Sequence, residues 1–308
     1  MKKLLQQELA YSWRSKTFLV FTLFLTATFC AVMIFELSGI FQLQDSYQKY
    51  LTFYTEQGVD LSESEYTVQE STDGLELIEN PLAYTKEKMA GFLYALSPEY
   101  RITRFLELSC VIFPLLLGAW GAYTASYDTK YKTLKMKVCS SSKTYVFWSK
   151  QVSMFVLALI SVFIAGILSY IVGELLYRYA CEHLSADFFP AFNQSTGSIL
   201  LQIVHAVVVA ILYLEIGFLI GNLTHSLWPA VLFAILYLFI IPTSEATAPF
   251  DIRDAINYFS IQLYSFPGIF SIPKSAATFP SAVLLLAITL LLLPLINGLL
   301  FKKRSAYQ

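Results

Sequence analysis

Six runs of mostly apolar residues, each long or nearly long enough to cross a lipid bilayer, constrain this chain more than any other feature. A spanning helix needs about 20 such residues, and the runs cover 17–35, 105–125, 152–173, 199–221, 227–241 and 280–301. The fifth run is the shortest and stops at Pro242. Of the 308 residues, 56% are hydrophobic and only 14% are charged. Soluble domains carry about a quarter charged residues, and a water-exposed surface of this size must be largely polar, so lipid is the expected solvent. The expected fold is an all-α membrane protein with six transmembrane helices.

The basic residues set the expected orientation. Lys2, Lys3, Arg14 and Lys16 precede the first run. Lys130, Lys132, Lys135, Lys137, Lys143 and Lys150 lie between the second and third, and Lys302, Lys303 and Arg304 follow the sixth. With six crossings these segments share one side, and inner loops are the basic ones. Both termini (1–16 and 302–308) and the loop 126–151 are therefore expected in the cytoplasm. Segments 36–104, 174–198 and 242–279 are expected outside, in a cell membrane.

The first outside segment opens with Phe41, Tyr47, Tyr50, Leu51 and Tyr54 near helical spacing, so the first helix is expected to run on to Gln57 and stop at Gly58. An acidic stretch over 60–79 follows, containing Glu63, Glu65, Glu70 and the turn signal Asp73-Gly74. Asn80-Pro81 then starts a new helix, giving a helical extracellular insertion. The aromatic-rich segment 242–279 suits an interfacial or re-entrant helix.

At the N-terminus, Leu5, Leu9 and Trp13 share one helical face flanked by Lys2, Lys3 and Arg14, as in an interfacial elbow helix or an ordinary charged tail. In the loop 126–151, Tyr131, Leu134 and Val138 form a short apolar stripe among lysines. Such a stripe fits a partner's groove, and the lysines equally fit a role in topology alone. Ser140-Ser141-Ser142 breaks that helix and can cap the next.

Several chemistries lack their motifs. There is no GxxxxGK[ST] phosphate loop, HExxH or GxSxG, and Cys30, Cys110, Cys139 and Cys181 show no metal-ligand spacing. No cofactor, no metal and no nucleic-acid partner is expected for this chain, and no enzymatic activity of its own. Among residues within the runs, Glu215 is costly at mid-bilayer and is a candidate for the translocation path or a satisfied packing residue. Gln202 and His205, three apart on one face, are weaker candidates nearer the outer end, where water can reach them.

The stretch from Asp128 through Lys132-Thr133-Leu134 and Ser141-Ser142-Lys143 to Lys150 resembles the first cytoplasmic loop of type-2 ABC transporter permeases. Lys132 stands at that family's glycine, and its proline is absent. Glu8-Leu9 with Arg14-Ser15-Lys16 is similar to the family's elbow helix. The resemblance implies a six-span permease subunit, paired as a homo- or heterodimer and docked on separate ATPase subunits that hold ATP and Mg. It implies that Asp128, Tyr131, Thr133, Leu134 and Val138 belong to a coupling helix. It also implies a bacterial exporter of a peptide, lipid or drug-like substrate. An ion-coupled transporter or channel, or a membrane sensor or scaffold, is the alternative.

Overall fold

The computed structural model describes residues 2–58, 68–70, 76–131, 133–184, 197–237, 250–267 and 274–303. The described residues form ten α-helices and one small hairpin. Helix α1 (Lys2–Arg14) is followed by a sharp corner at Lys16, whose φ of 58° is left-handed. Helix α2 (Thr17–Glu56) rises from that corner. Its 40 residues span about 60 Å at 1.5 Å per residue, twice an apolar bilayer core, so it projects well beyond the lipid. Gly58, at φ +70°, follows its end.

Strands β1 (Val68–Glu70) and β2 (Glu76–Ile78) pair antiparallel, Val68 opposite Ile78. The insertion is therefore not wholly helical as expected, and β-branched residues head the pairing. Most of the acidic stretch, including Glu63, Glu65 and Asp73, lies outside the described residues. Helix α3 (Pro81–Leu96) starts where the sequence signals it: the Asn80 side chain accepts a hydrogen bond from the Ala83 amide at 3.2 Å, and Pro81 needs no donor there.

Helices α4 (Arg101–Lys130), α6 (Lys143–His183), α7 (Ile199–Thr224) and α10 (Phe279–Lys303) complete the bundle, with short α5 (Leu134–Ser140) between α4 and α6. Five helices, α2, α4, α6, α7 and α10, are long and apolar enough to cross a bilayer. The apolar window of α10 is only 11% buried. Leu284, Leu291, Leu295 and Leu299 along one side of it are each more than half exposed. So large an apolar face is stable against lipid and not against water. The chain is a multi-pass, membrane-embedded protein.

The expected sixth crossing, over 227–241, is not found among the described residues. There α8 (Trp228–Ile235) covers eight residues, and helical backbone continues through Leu236 and Tyr237, after which the run lies outside the described residues. The expected end at Pro242 lies outside the described residues. Helix α9 (Ile252–Leu263), capped by Asp251, begins beside the end of α8, since the Arg253 guanidinium donates to the Tyr237 carbonyl at 2.6 Å. Its far end lies against the start of α7, where the Gly197 amide donates to the Leu263 carbonyl at 3.2 Å.

The bundle is centred on α4 and α7, whose backbones touch. A Cβ built on Gly217 would lie 1.9 Å from the Gly118 carbonyl oxygen, and one on Gly121 would lie 2.1 Å from that of Leu214. Small residues allow this approach, as they do between helices in lipid generally.

Candidate functional site

Three polar centres stand out, one at the end of the bundle that carries the lysines, one within it and one toward the opposite end. The first is organised by Asp128, on the last turns of α4. Its carboxylate is 1% exposed and binds two ammonium groups at 2.9 Å, Lys150 from α6 and Lys137 from α5. Thr133 donates its hydroxyl to the same carboxylate at 2.5 Å. Lys137 reaches on to Glu8 of α1 at 2.5 Å, and Lys150 also donates to the Thr124 carbonyl at 2.8 Å. One buried acid thus ties α1, α4, α5 and α6 together. Tyr11 of α1 packs on Tyr127, with ring centroids 4.4 Å apart. Near the same end, Lys143 donates to the Lys302 carbonyl at 3.1 Å, so the last turn of α10 joins the group.

Lys137 is held as a cation. Burial works against its ammonium, but the carboxylates of Asp128 and Glu8 more than offset this and raise its pKa above the ordinary 10.5.

The coupling candidates fall into two groups. Asp128 and Thr133 belong to this hub. The expected helix over 128–138 is broken: α4 continues to Lys130 and α5 starts only at Leu134, after the Thr133 amide donates to the Asp128 carbonyl. Consequently Tyr131, Leu134 and Val138 do not form one exposed ridge. Leu134 is buried in the chain's own core, Val138 packs half-buried against that core, and Tyr131 is exposed beside Tyr127. The face that α5 offers outward is instead Lys135, Met136 and Cys139, with Met136 67% exposed. Helical periodicity found the stripe but could not tell which side the chain itself would cover.

The second centre surrounds Glu215 of α7, which is 1% exposed. Asn297 of α10 donates to its carboxylate at 2.5 Å and to its backbone carbonyl at 3.1 Å, and Gln151 of α6 donates to the carboxylate at 3.3 Å. Neither amide stood out in the sequence, because a lone Gln at the edge of an apolar run, or a lone Asn within one, gives no pattern.

Gln202 and His205 lie elsewhere. Gln202 is fully buried and donates to the Gly197 and Leu263 carbonyls at 3.1 and 3.0 Å. The His205 Nδ1 meets the Tyr264 hydroxyl at 3.3 Å. Both fasten α7 to the end of α9, and both are buried rather than reached by water as expected. Gln202 and His205 stand about 20 and 15 Å along the helix from Glu215, so the three side chains do not form one cluster.

A third buried group lies toward the opposite end. Arg104, with no exposed surface, bridges Glu36 of α2 and Glu107, the latter at 2.5 Å. Tyr100 donates to Glu107 at 2.9 Å and accepts from the Ser265 amide at 3.2 Å. Arg101 binds Glu174 of α6 at 2.9 Å and lies over the Tyr170 ring. Below Arg101, an apolar groove of about 560 Å³ opens between α2, α4, α6 and α7, lined by Phe105, Phe113, Phe155, Phe163 and Leu214 among others.

Comparison with protein-family models, with curated proteins and with solved structures finds no match to this chain.

Proposed function

We propose that this chain is the membrane-spanning permease subunit of an ABC transporter, paired with a second permease subunit and driven by separate ATPase subunits. The observation that supports this reading best is α5. It is a short helix held by ionic contacts to α1, α4 and α6, with a face of Lys135, Met136 and Cys139 that the chain leaves uncovered. A rigidly held helix at the lysine-rich end, facing the cytoplasm under the positive-inside rule, suits the passing of movement from a docked partner to α4 and α6. With no phosphate loop of its own, the chain needs such a partner to use ATP. The two positions that the resemblance takes as its acid and closing lysine, Asp128 and Lys150, are ionic partners, which supports the reading. The apolar groove beside α2 and α6 favours export of a lipid-like or other apolar substrate over a charged one.

The docking face can be tested without disturbing the core. Lys135→Glu combined with Met136→Asp reverses the charge and polarity of the exposed side of α5. We expect this double variant to insert and fold normally, yet to weaken ATPase association by about 2 kcal/mol, roughly thirtyfold. Quantitative copurification of the ATPase reads this directly. Undiminished association would remove α5 as the docking element.

A second reading, an ion-coupled transporter or channel, draws on Glu215, an acid within the bundle with no cationic partner among the described residues. Transport that continues in vesicles without any ATPase, driven by an imposed gradient, would favour it.

A further inference from the structure

The Glu215 cluster has too many acceptors for its donors. Glu215 is 1% exposed, Gln151 1% and Asn297 0%, so water does not reach them from the surface. The Glu215 Oε1, Gln151 Oε1 and Asn297 Oδ1 atoms are all buried and all without a hydrogen-bond donor. Buried acceptors left unmatched are rare and costly.

No nearby cation balances the carboxylate. On α6, the neighbouring Lys150 is bound to Asp128 and the Thr124 carbonyl. At this level α4 approaches α7 through Gly118 and Gly121, which carry no charge. On α10 the basic residues are Lys302 and Lys303 in the last turn. An unpaired carboxylate removed from water is normally neutralised.

We propose that Glu215 is a proton-binding site within the membrane, kept as the neutral acid by its removal from water without a nearby cation. The acid's hydroxyl supplies a donor that the cluster otherwise lacks. Turning the Gln151 amide end for end would set its oxygen against Glu215 Oε2, where the nitrogen now stands 3.3 Å away, ready to accept that proton. The ligand is a proton, bound where α6, α7 and α10 meet, so its uptake or release alters the contact among three helices. The proposal stands on this geometry alone and does not require an ATPase partner.

Infrared spectra of the purified protein in lipid at neutral pH test it. The wild type should show the carbonyl stretch of a protonated carboxylic acid, shifted in D₂O. Glu215→Gln should lose that band, and Glu174→Gln, at an arginine-paired acid, should keep it. The glutamine variant also supplies an amide donor, so its thermal unfolding should match the wild type. Absence of the band from the wild type, or its persistence in folded Glu215→Gln, would overturn the proposal. So would a wild type that sodium stabilises beside a Gln variant that it does not, since the carboxylate would then hold a metal cation.

Discussion

Replacing Gly217 with valine should leave almost no folded protein. At this position α7 lies on α4 so closely that even a methyl carbon would fall 1.9 Å from the Gly118 carbonyl oxygen. The obstacle is backbone, which cannot rotate aside as a side chain can. The two helices must separate, and α4 with α7 forms the most extensive contact in the bundle. Overpacking typically costs 1–3 kcal/mol and occasionally more. Here the cost should be about 3 kcal/mol or above, because separation also loosens Leu117, Leu214 and Phe218, all buried in the same core. Gly39→Ala is the matched control, since its new methyl group would meet only the Phe92 ring at 3.5 Å, an ordinary contact. Size-exclusion profiles and thermal unfolding in detergent should show aggregation for Gly217→Val and near wild-type behaviour for Gly39→Ala. A well-folded Gly217→Val would mean that α4 and α7 do not meet through these glycines.

Asp128→Ala should be nearly as damaging, for an electrostatic reason. The substitution leaves the Lys150 ammonium 1% exposed without its anion, and removes one of the two partners of Lys137. Breaking a buried pair by deleting one member costs about 3–5 kcal/mol. Replacing both members, as in Asp128→Leu with Lys150→Met, should recover much of that loss, because the uncompensated charge goes too. A double variant no better than Asp128→Ala would show that the acid acts through something other than these ion pairs. Alkali should reach the same hub through Lys137. A folded pKa above the unfolded one gives stabilisation that is complete below pH 10.5 and is lost as pH rises through the higher value. The attachment of α5 should therefore be insensitive to pH around neutrality and loosen in strong alkali.

Much of the architecture was readable because lipid imposes long apolar runs. Five of the six expected crossings correspond to helices of sufficient length and hydropathy. The Asn80-Pro81 start and the Ser142 cap are local signals that depend on no distant residue, and both stand where the sequence sets them. The region after Leu227 was harder. Pro242 limits the run and an aromatic segment follows, but periodicity does not reveal that Arg253 of α9 would bind the Tyr237 carbonyl. The paired strands 68–70 and 76–78 carry almost no sequence pattern, because each is only three residues long.

Site residues divide in the same way. Glu215 and Asp128 drew attention because an acid in or beside an apolar run is conspicuous. Their partners did not, since Lys137, Gln151 and Asn297 are ordinary in isolation and gain meaning only from contacts 9 to 129 residues away in sequence. Leu134 misled for a related reason. An apolar residue in a polar loop reads as exposed and waiting for a partner, whereas the chain buries Leu134 itself and leaves Met136 of the same helix exposed.

The central claim, that the outward face of α5 docks on an ATPase, can be tested through Cys139, a natural exposed cysteine on that helix. The other three cysteines, Cys30, Cys110 and Cys181, would be replaced, and a photoactivatable cross-linker attached to Cys139 in membranes from the native host. The account predicts a cross-linked product whose second component is an ATPase carrying a phosphate loop, formed in lower yield when Lys135→Glu and Met136→Asp are present. Efficient attachment of the probe with adducts only to lipid, or to proteins without a nucleotide-binding site, would contradict it.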